Sequence, residues 1–219
     1  MDEVSASTSL LTDLKLFIDQ GGLFMYVILA IWIGGIAICF ERFRKLCFIY
    51  DVDGPSFMNE IHRYVLSNDI QGAIRVCSGS LAALPKVLKS GLKRANSSPD
   101  QIQNAIDATS LEVIPKIELR LNYLHVIANV STLFGLLGTI QGLINSFTAV
   151  GSVDPAQKQQ ILAEGISQAM NTTALGLFAA ITIMMIHAFL AAKSEKIINE
   201  VDEFSVKLMD LLKTVIIFV

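Results

Sequence analysis

"GLLGTIQGLINSF", Gly135 to Phe147, decides the fold class. It lies in an uncharged run from His125 to Val153 that is apolar enough for a bilayer, yet it carries three glycines, a threonine, a glutamine, an asparagine and a serine. About 20 apolar residues cross the hydrocarbon core as a helix. Two further uncharged runs meet that length: Gln20 to Phe40, closed by Glu41 and Arg42, and Gly165 to Ala192, closed by Lys193. The composition agrees, because 53% hydrophobic and 17% charged residues, with a mean hydropathy of +0.55 over 219 residues, are too apolar for an ordinary water-soluble domain. The expected fold is an all-α membrane protein with three transmembrane helices, at 23–41, 125–150 and 165–192, and long cytoplasmic helical extensions.

Lysine and arginine at the span ends set the orientation. Arg42, Arg44 and Lys45 follow the first span, Lys116 and Arg120 precede the second, and Lys193 and Lys196 follow the third. Those ends are expected in the cytoplasm, which makes 42–124 a cytoplasmic helical region and 193–219 a cytoplasmic C-terminal helix. The segment 1–22, with Asp2, Glu3, Asp13 and Asp19 against Lys15, and the loop 151–164 are expected in the periplasm. Met1-Asp2-Glu3 lacks the basic start of a secretory signal, so the first span is expected to be retained.

The net charge of −3 is shared between the two sides and leaves no basic patch for nucleic acid. Cys39, Cys47 and Cys77 have neither a disulfide framework nor metal-ligand spacing, and no cofactor or metal is expected. Turn signals at Asp53-Gly54-Pro55, Ser78-Gly79-Ser80 and Asn96-Ser97-Ser98-Pro99 divide the region after the first span into short helices, over 57–67, 70–77 and 81–94. A further helix starts at Asp100 and runs towards the second span, with Pro115 as the place for a kink. The region is too small for a catalytic domain with its own large core and is expected to form a collar on the extensions of the spans.

Beyond the third span, Ile197, Val201, Phe204, Leu208, Leu211, Val215 and Phe218 recur at alternating steps of four and three, a heptad seam. It serves either packing within the subunit or contact between copies, and the second reading makes Ile197, Val201, Phe204, Leu208 and Leu211 an oligomer seam.

The small and polar residues also follow a pattern. Thr132, Gly135, Thr139, Gly142 and Ser146 form one stripe at steps of three and four, and Gly138 with Gly142 makes a G-x-x-x-G pair. Such a stripe either lets helix backbones approach or walls a polar passage. The third span repeats the theme in "GISQAMNTTALGLFAAI", Gly165 to Ile181, where Thr173, Gly176, Ala180, Met184 and His187 share a face. Hydroxyls at membrane depth need a partner, so Thr139 and Thr173 either face a common lumen or each bond their own i−4 carbonyl. His187 is placed to titrate near neutral pH or to bond a neighbour. Thr172 either adds an oxygen suited to sodium or seals an interface.

At "LFGLLGTIQGLINSF" and "EGISQAMNTTALGLFAAI" the chain resembles the TolQ/ExbB/MotA family of ion-channel stator subunits, and the three-span plan places it nearest the ExbB/TolQ branch. The resemblance implies an inner-membrane subunit, not an enzyme, that forms a homo-oligomer, in that family a pentamer, around a pair of single-span ExbD/TolR-type partners. A membrane aspartate of those partners carries the ion, and a TonB- or TolA-type protein is a further implied partner. The implied task is to convert proton-motive force into mechanical work for envelope transport, envelope integrity or motility. The alternatives are a sodium-driven stator of the same plan and a non-conducting membrane scaffold. Thr139 falls on the family's threonine of the G-T motif and Thr173 on that of the third span. Gln168 stands where many relatives have an acid, and Thr132 where proline is common, so no Asp or Glu lies inside any expected span. The ion-pathway residues are Thr139, Thr173, Thr172, Gln168 and His187, and the helix-packing glycines are Gly135, Gly138, Gly142 and Gly176.

Overall fold

The computed structural model of the chain describes Ile18 and residues 21–218, except the side chains of 215–218. The N-terminal charges expected in the periplasm, and the last seam positions Val215 and Phe218, lie outside that description. The described residues form seven long or short α-helices and no strand: α1 (Leu23–Arg44), α2 (Gly54–Leu66), α3 (Ile70–Ser78), α4 (Ala83–Leu92), α5 (Pro99–Glu118), α6 (Leu121–Val150) and α7 (Pro155–Phe218). A single π-helical turn, Lys45–Ile49, continues α1. Three helices are long and apolar enough to cross a membrane. That matches the expected class, and the reason is energetic: in hydrocarbon every backbone polar group must be bonded within its own helix.

The chain divides into two compact units. One consists of the stretch ending at Cys39 together with Asn122–His187, the other of Phe40–Leu121 with the stretch from Ala188 on. In the first unit, α1 packs on both other spans. Trp32 donates its indole N–H to Thr182 Oγ1 at 2.9 Å, and its ring lies 5.7 Å from that of Phe178. Phe24 meets Phe134 with ring centroids 6.4 Å apart. Gly35 faces Ile127 and Ile183, so a side chain there would collide with both helices.

In the second unit, α2 to α5 pack on one another in succession, and α2 and α4 reach the C-terminal part of α7. Ile197, Val201, Phe204 and Leu208 are buried within the chain, and Leu211 is half-buried. A Cβ at Gly54 of α2 would run into the Phe204 ring, and one at Gly91 of α4 would sit 3.2 Å from Leu208. The short helices of the same chain thus lie against Phe204 and Leu208, and the heptad face serves packing within the subunit at Ile197, Val201, Phe204 and Leu208, while Leu211 keeps part of its surface. The buried set also includes Ser194, Ser205, Met209 and Leu212. A face that broad suits a helix inside a bundle rather than a two-helix seam.

The chain turns before the second span at a point beyond the proline. Pro115 sits inside α5, which runs on to Glu118, and the chain turns at Leu119 and Arg120, with Arg120 at φ 65°. Side chains hold the turn. Arg42, 1% exposed, donates Nη1 to the Lys116 carbonyl at 3.4 Å, meeting one of the carbonyls a helix end leaves without a partner. Arg120 Nη1 reaches Glu41 Oε2 at 2.5 Å, and Lys45 reaches Glu41 Oε1 at 2.7 Å. The left-handed backbone at Arg120 costs a non-glycine residue roughly 1–2 kcal/mol, and the buried Arg42 and the Glu41 ion pairs fasten the segments on either side of it.

Candidate functional site

The glycines of α6 are explained by α7. A Cβ built on Gly176 would lie 2.8 Å from the Ser131 carbonyl oxygen and 2.9 Å from Gly135 Cα. One on Gly135 would lie 3.3 Å from Gly176 Cα, one on Gly142 would lie 3.1 Å from Ala169 Cβ, and one on Gly138 would strike Thr172. The four helix-packing glycines thus let α6 and α7 of one chain touch backbone to backbone, which larger residues would prevent. Ser146 joins them, buried against Gly165 and donating to the Gly142 carbonyl at 2.8 Å.

Close packing brings Thr139 and Thr173 together. Their hydroxyl oxygens are hydrogen-bonded to each other. Thr139 also donates to the Gly135 carbonyl at 3.2 Å, its own i−4 position, whereas Thr173 reaches that same carbonyl across the helix pair at 3.1 Å. With the Ala169 carbonyl 3.4 Å from Thr139 Oγ1, two hydroxyls and two carbonyls form a cluster with more acceptor sites than protons. Both threonines are half-buried, so the cluster lies on the flank of the glycine contact and not at its centre.

Other expected pathway residues lie elsewhere. Thr172 is buried and donates to the Gly21 carbonyl at 3.0 Å and the Gln168 carbonyl at 2.9 Å, which ties α7 to the turn preceding α1. Gln168 faces the same turn: a Cβ on Gly22, at φ 71°, would lie 2.6 Å from its Nε2. Neither hydroxyl nor amide is directed at the Thr139–Thr173 pair. Thr132 is exposed, so it leaves the stripe of Gly135, Gly142 and Ser146, all of which are buried.

His187 has a neighbour that the residue pattern does not single out. Its ring centroid lies 6.1 Å from that of His125 on α6, and His125 Nε2 is 3.2 Å from Asn129 Nδ2. The signal for His125 in the sequence is its spacing: His125, Asn129, Thr132, Leu136 and Thr139 recur at steps of four and three. At the other end of the helix pair, Asn145, Ser146, Glu164, Ser167 and Gln168 line an open cavity of about 730 Å³. Among the described residues no group of three or more His, Cys, Asp or Glu is placed to hold a metal ion.

These features define a three-span helical membrane protein whose last two spans pack through glycine beside a paired-threonine cluster. The model of the MotA/TolQ/ExbB proton channel family matches residues 80–203, more than half of the chain, and the chain belongs to that family. A biopolymer transport protein ExbB homolog of Methanothermobacter thermautotrophicus is 27% identical over 192 residues, 87% of this chain and 67% of that protein. The Tol-Pal system protein TolQ of Haemophilus influenzae is 34% identical over 125 residues, 53% of this chain and 54% of TolQ, so the chain spans about half the length of that relative. The solved structure of C. jejuni MotAB matches with a TM-score of 0.63 at 16% identity, over 97% of this chain and 86% of that one, a likeness of fold.

Proposed function

We propose that the chain is the channel-forming subunit of an ExbB/TolQ-type stator in the bacterial inner membrane. It uses the proton-motive force to drive mechanical work through an ExbD/TolR-type partner, in turn coupled to a TonB- or TolA-type protein. Five copies surround a pair of these single-span partners, with the N-terminus periplasmic and the region 42–124 and the C-terminus cytoplasmic. The observation that carries this reading is the Thr139–Thr173 cluster. Hydroxyls at membrane depth that bond each other and a shared carbonyl also join helices, but, half-buried on the flank of the glycine contact, they keep lone pairs for water and a passing proton. Because no Asp or Glu lies between Leu23 and Phe40, His125 and Val153, or Gly165 and Ala192, the carboxylate that carries the proton comes from the partner. Here the threonines lower the cost of bringing it, and water, to membrane depth.

The sodium alternative rests on the pair Thr172 and Thr173, with Gln168 in place of an acid. Thr172 is 1% exposed and fastens α7 to the turn before α1, away from the Thr139–Thr173 pair, which supports the proton reading. Thr139→Val and Thr173→Val keep the shape and remove the hydroxyl. Both variants are expected to assemble and to lose most proton flux in vesicles driven by an imposed pH gradient, with wild-type flux unaffected when sodium is exchanged for potassium. Wild-type flux in both valine variants refutes the pore assignment, and flux that vanishes with sodium reassigns the ion.

A further inference from the structure

The helix pair α6 and α7 meets twice through polar side chains, in one register. Thr139 touches Thr173, and His125 lies beside His187. Each histidine is fourteen residues from its threonine, towards the same end of the pair, a rise of about 21 Å along an α-helix. Fourteen residues are two heptads, so each histidine stays on the face of its threonine. Between them on α6 the same face presents Asn129 and Thr132, then the apolar Leu136 one turn before Thr139.

His125, Asn129 and Thr132 are exposed on the chain, and His187 is half-buried. A row of polar side chains cannot face lipid cheaply, so it faces water or a neighbouring polar surface. The groups around it are otherwise uncharged. From Leu23 to Phe40, from Leu121 to Val150 and from Gly165 to Ala192 there is no Asp, Glu, Lys or Arg, and apart from Tyr26, Cys39 and Tyr123 the two imidazoles are the titratable groups of these stretches.

We propose that His125 and His187 form a proton-release station at the cytoplasmic end of the ion path, with Asn129 and Thr132 holding the water between the station and the threonine cluster. The proposal rests on the proton-stator reading. A hydronium arriving along that row gives its proton to a free imidazole nitrogen and leaves as water. The imidazolium then returns the proton to cytoplasmic water, so the station is unchanged after each transfer. Asn129 serves both states: its amide N–H donates to the neutral His125 nitrogen, and after an amide flip its carbonyl accepts from the protonated ring.

The test uses inverted membrane vesicles from cells that make the full chain with its native partners, with proton flux followed by a pH-sensitive dye. The double variant His125→Gln/His187→Gln is expected to assemble and to conduct about tenfold more slowly or worse. Imidazole added at the exposed cytoplasmic face is expected to restore the flux, whereas it does not restore Thr139→Val. Unchanged flux in the double variant, or a loss that imidazole leaves uncorrected, overturns the station. Absence of proton flux in the wild type would instead overturn the stator reading beneath it. A second readout is independent of the histidines. In a chain with Cys39, Cys47 and Cys77 replaced by alanine, Asn129→Cys and Thr132→Cys should react with a membrane-impermeant thiol reagent from the cytoplasmic face, and Leu133→Cys should not. Labelling of Leu133→Cys with protection of the other two also overturns the proposal.

Discussion

Gly176→Ala tests the contact on which the site depends. The added methyl would stand 2.8 Å from the Ser131 carbonyl oxygen, 2.9 Å from Gly135 Cα and 3.2 Å from Gly135 N. All three neighbours are backbone atoms of α6, so no side-chain rotation relieves the clash, and the helices must separate by about half an ångström to restore ordinary contact. Overpacking of this kind costs about 1–3 kcal/mol, which lowers the melting temperature of a chain this long by roughly 3–10 °C. Gly142→Ala and Gly135→Ala, with nearest approaches of 3.1 and 3.3 Å, should cost less, and Gly34→Ala, with nothing within 4 Å, should cost nothing measurable. Separation also pulls Thr173 from Thr139, so proton flux should fall in Gly176→Ala more than in Gly142→Ala. The assay is thermal unfolding of the detergent-solubilised protein alongside vesicle flux. A melting temperature for Gly176→Ala equal to that of Gly34→Ala would refute the backbone contact.

Phe204→Ala empties a site that is 4% exposed and should cost about 3–5 kcal/mol without changing the subunit number in native mass spectrometry; dissociation to monomers at unchanged thermal stability would return Phe204 to a contact between copies. Burial pushes the Cys77 thiol up to about 11, so at pH 8 roughly one thiol in a thousand is ionised, and iodoacetamide should modify Cys77 only after unfolding; labelling of native Cys77 as fast as half-buried Cys47 refutes this. The sign for stability follows: the contribution of the neutral buried thiol is full below its ordinary value of 9.0 and is lost as pH rises through about 11. Asn68 holds φ 57° after α2, so Asn68→Ala should lower stability by about 1 kcal/mol while Asn68→Gly does not, as measured by denaturant titration.

The three spans were legible in the residues because a charge at membrane depth is so costly that an uncharged run of sufficient length marks a span without reference to its neighbours. The short helices were legible for a local reason as well, since turn residues at Asp53-Gly54-Pro55 and Ser98-Pro99 stop and start helices wherever they occur. The pairing of Thr139 with Thr173 was foreshadowed by the common periodicity of two stripes, although periodicity cannot say which helices touch.

Tertiary structure decided what those local rules leave open. A heptad face is the same whether its partner is another copy or the helices α2 and α4, and only the positions of Gly54 and Gly91 assign Phe204 and Leu208 to the chain's own core. The turn at Arg120 has no composition signal, because the positive φ is maintained by Glu41 and by Arg42 on the Lys116 carbonyl, seventy or more residues away in the chain. Thr172 and Thr173 are neighbours of identical chemistry, yet helical rotation of about 100° sends one hydroxyl to Gly21 and the other to Thr139. The meeting of His125 with His187 likewise depends on the register of two antiparallel helices, a quantity set by glycine contacts between segments and carried by neither segment alone.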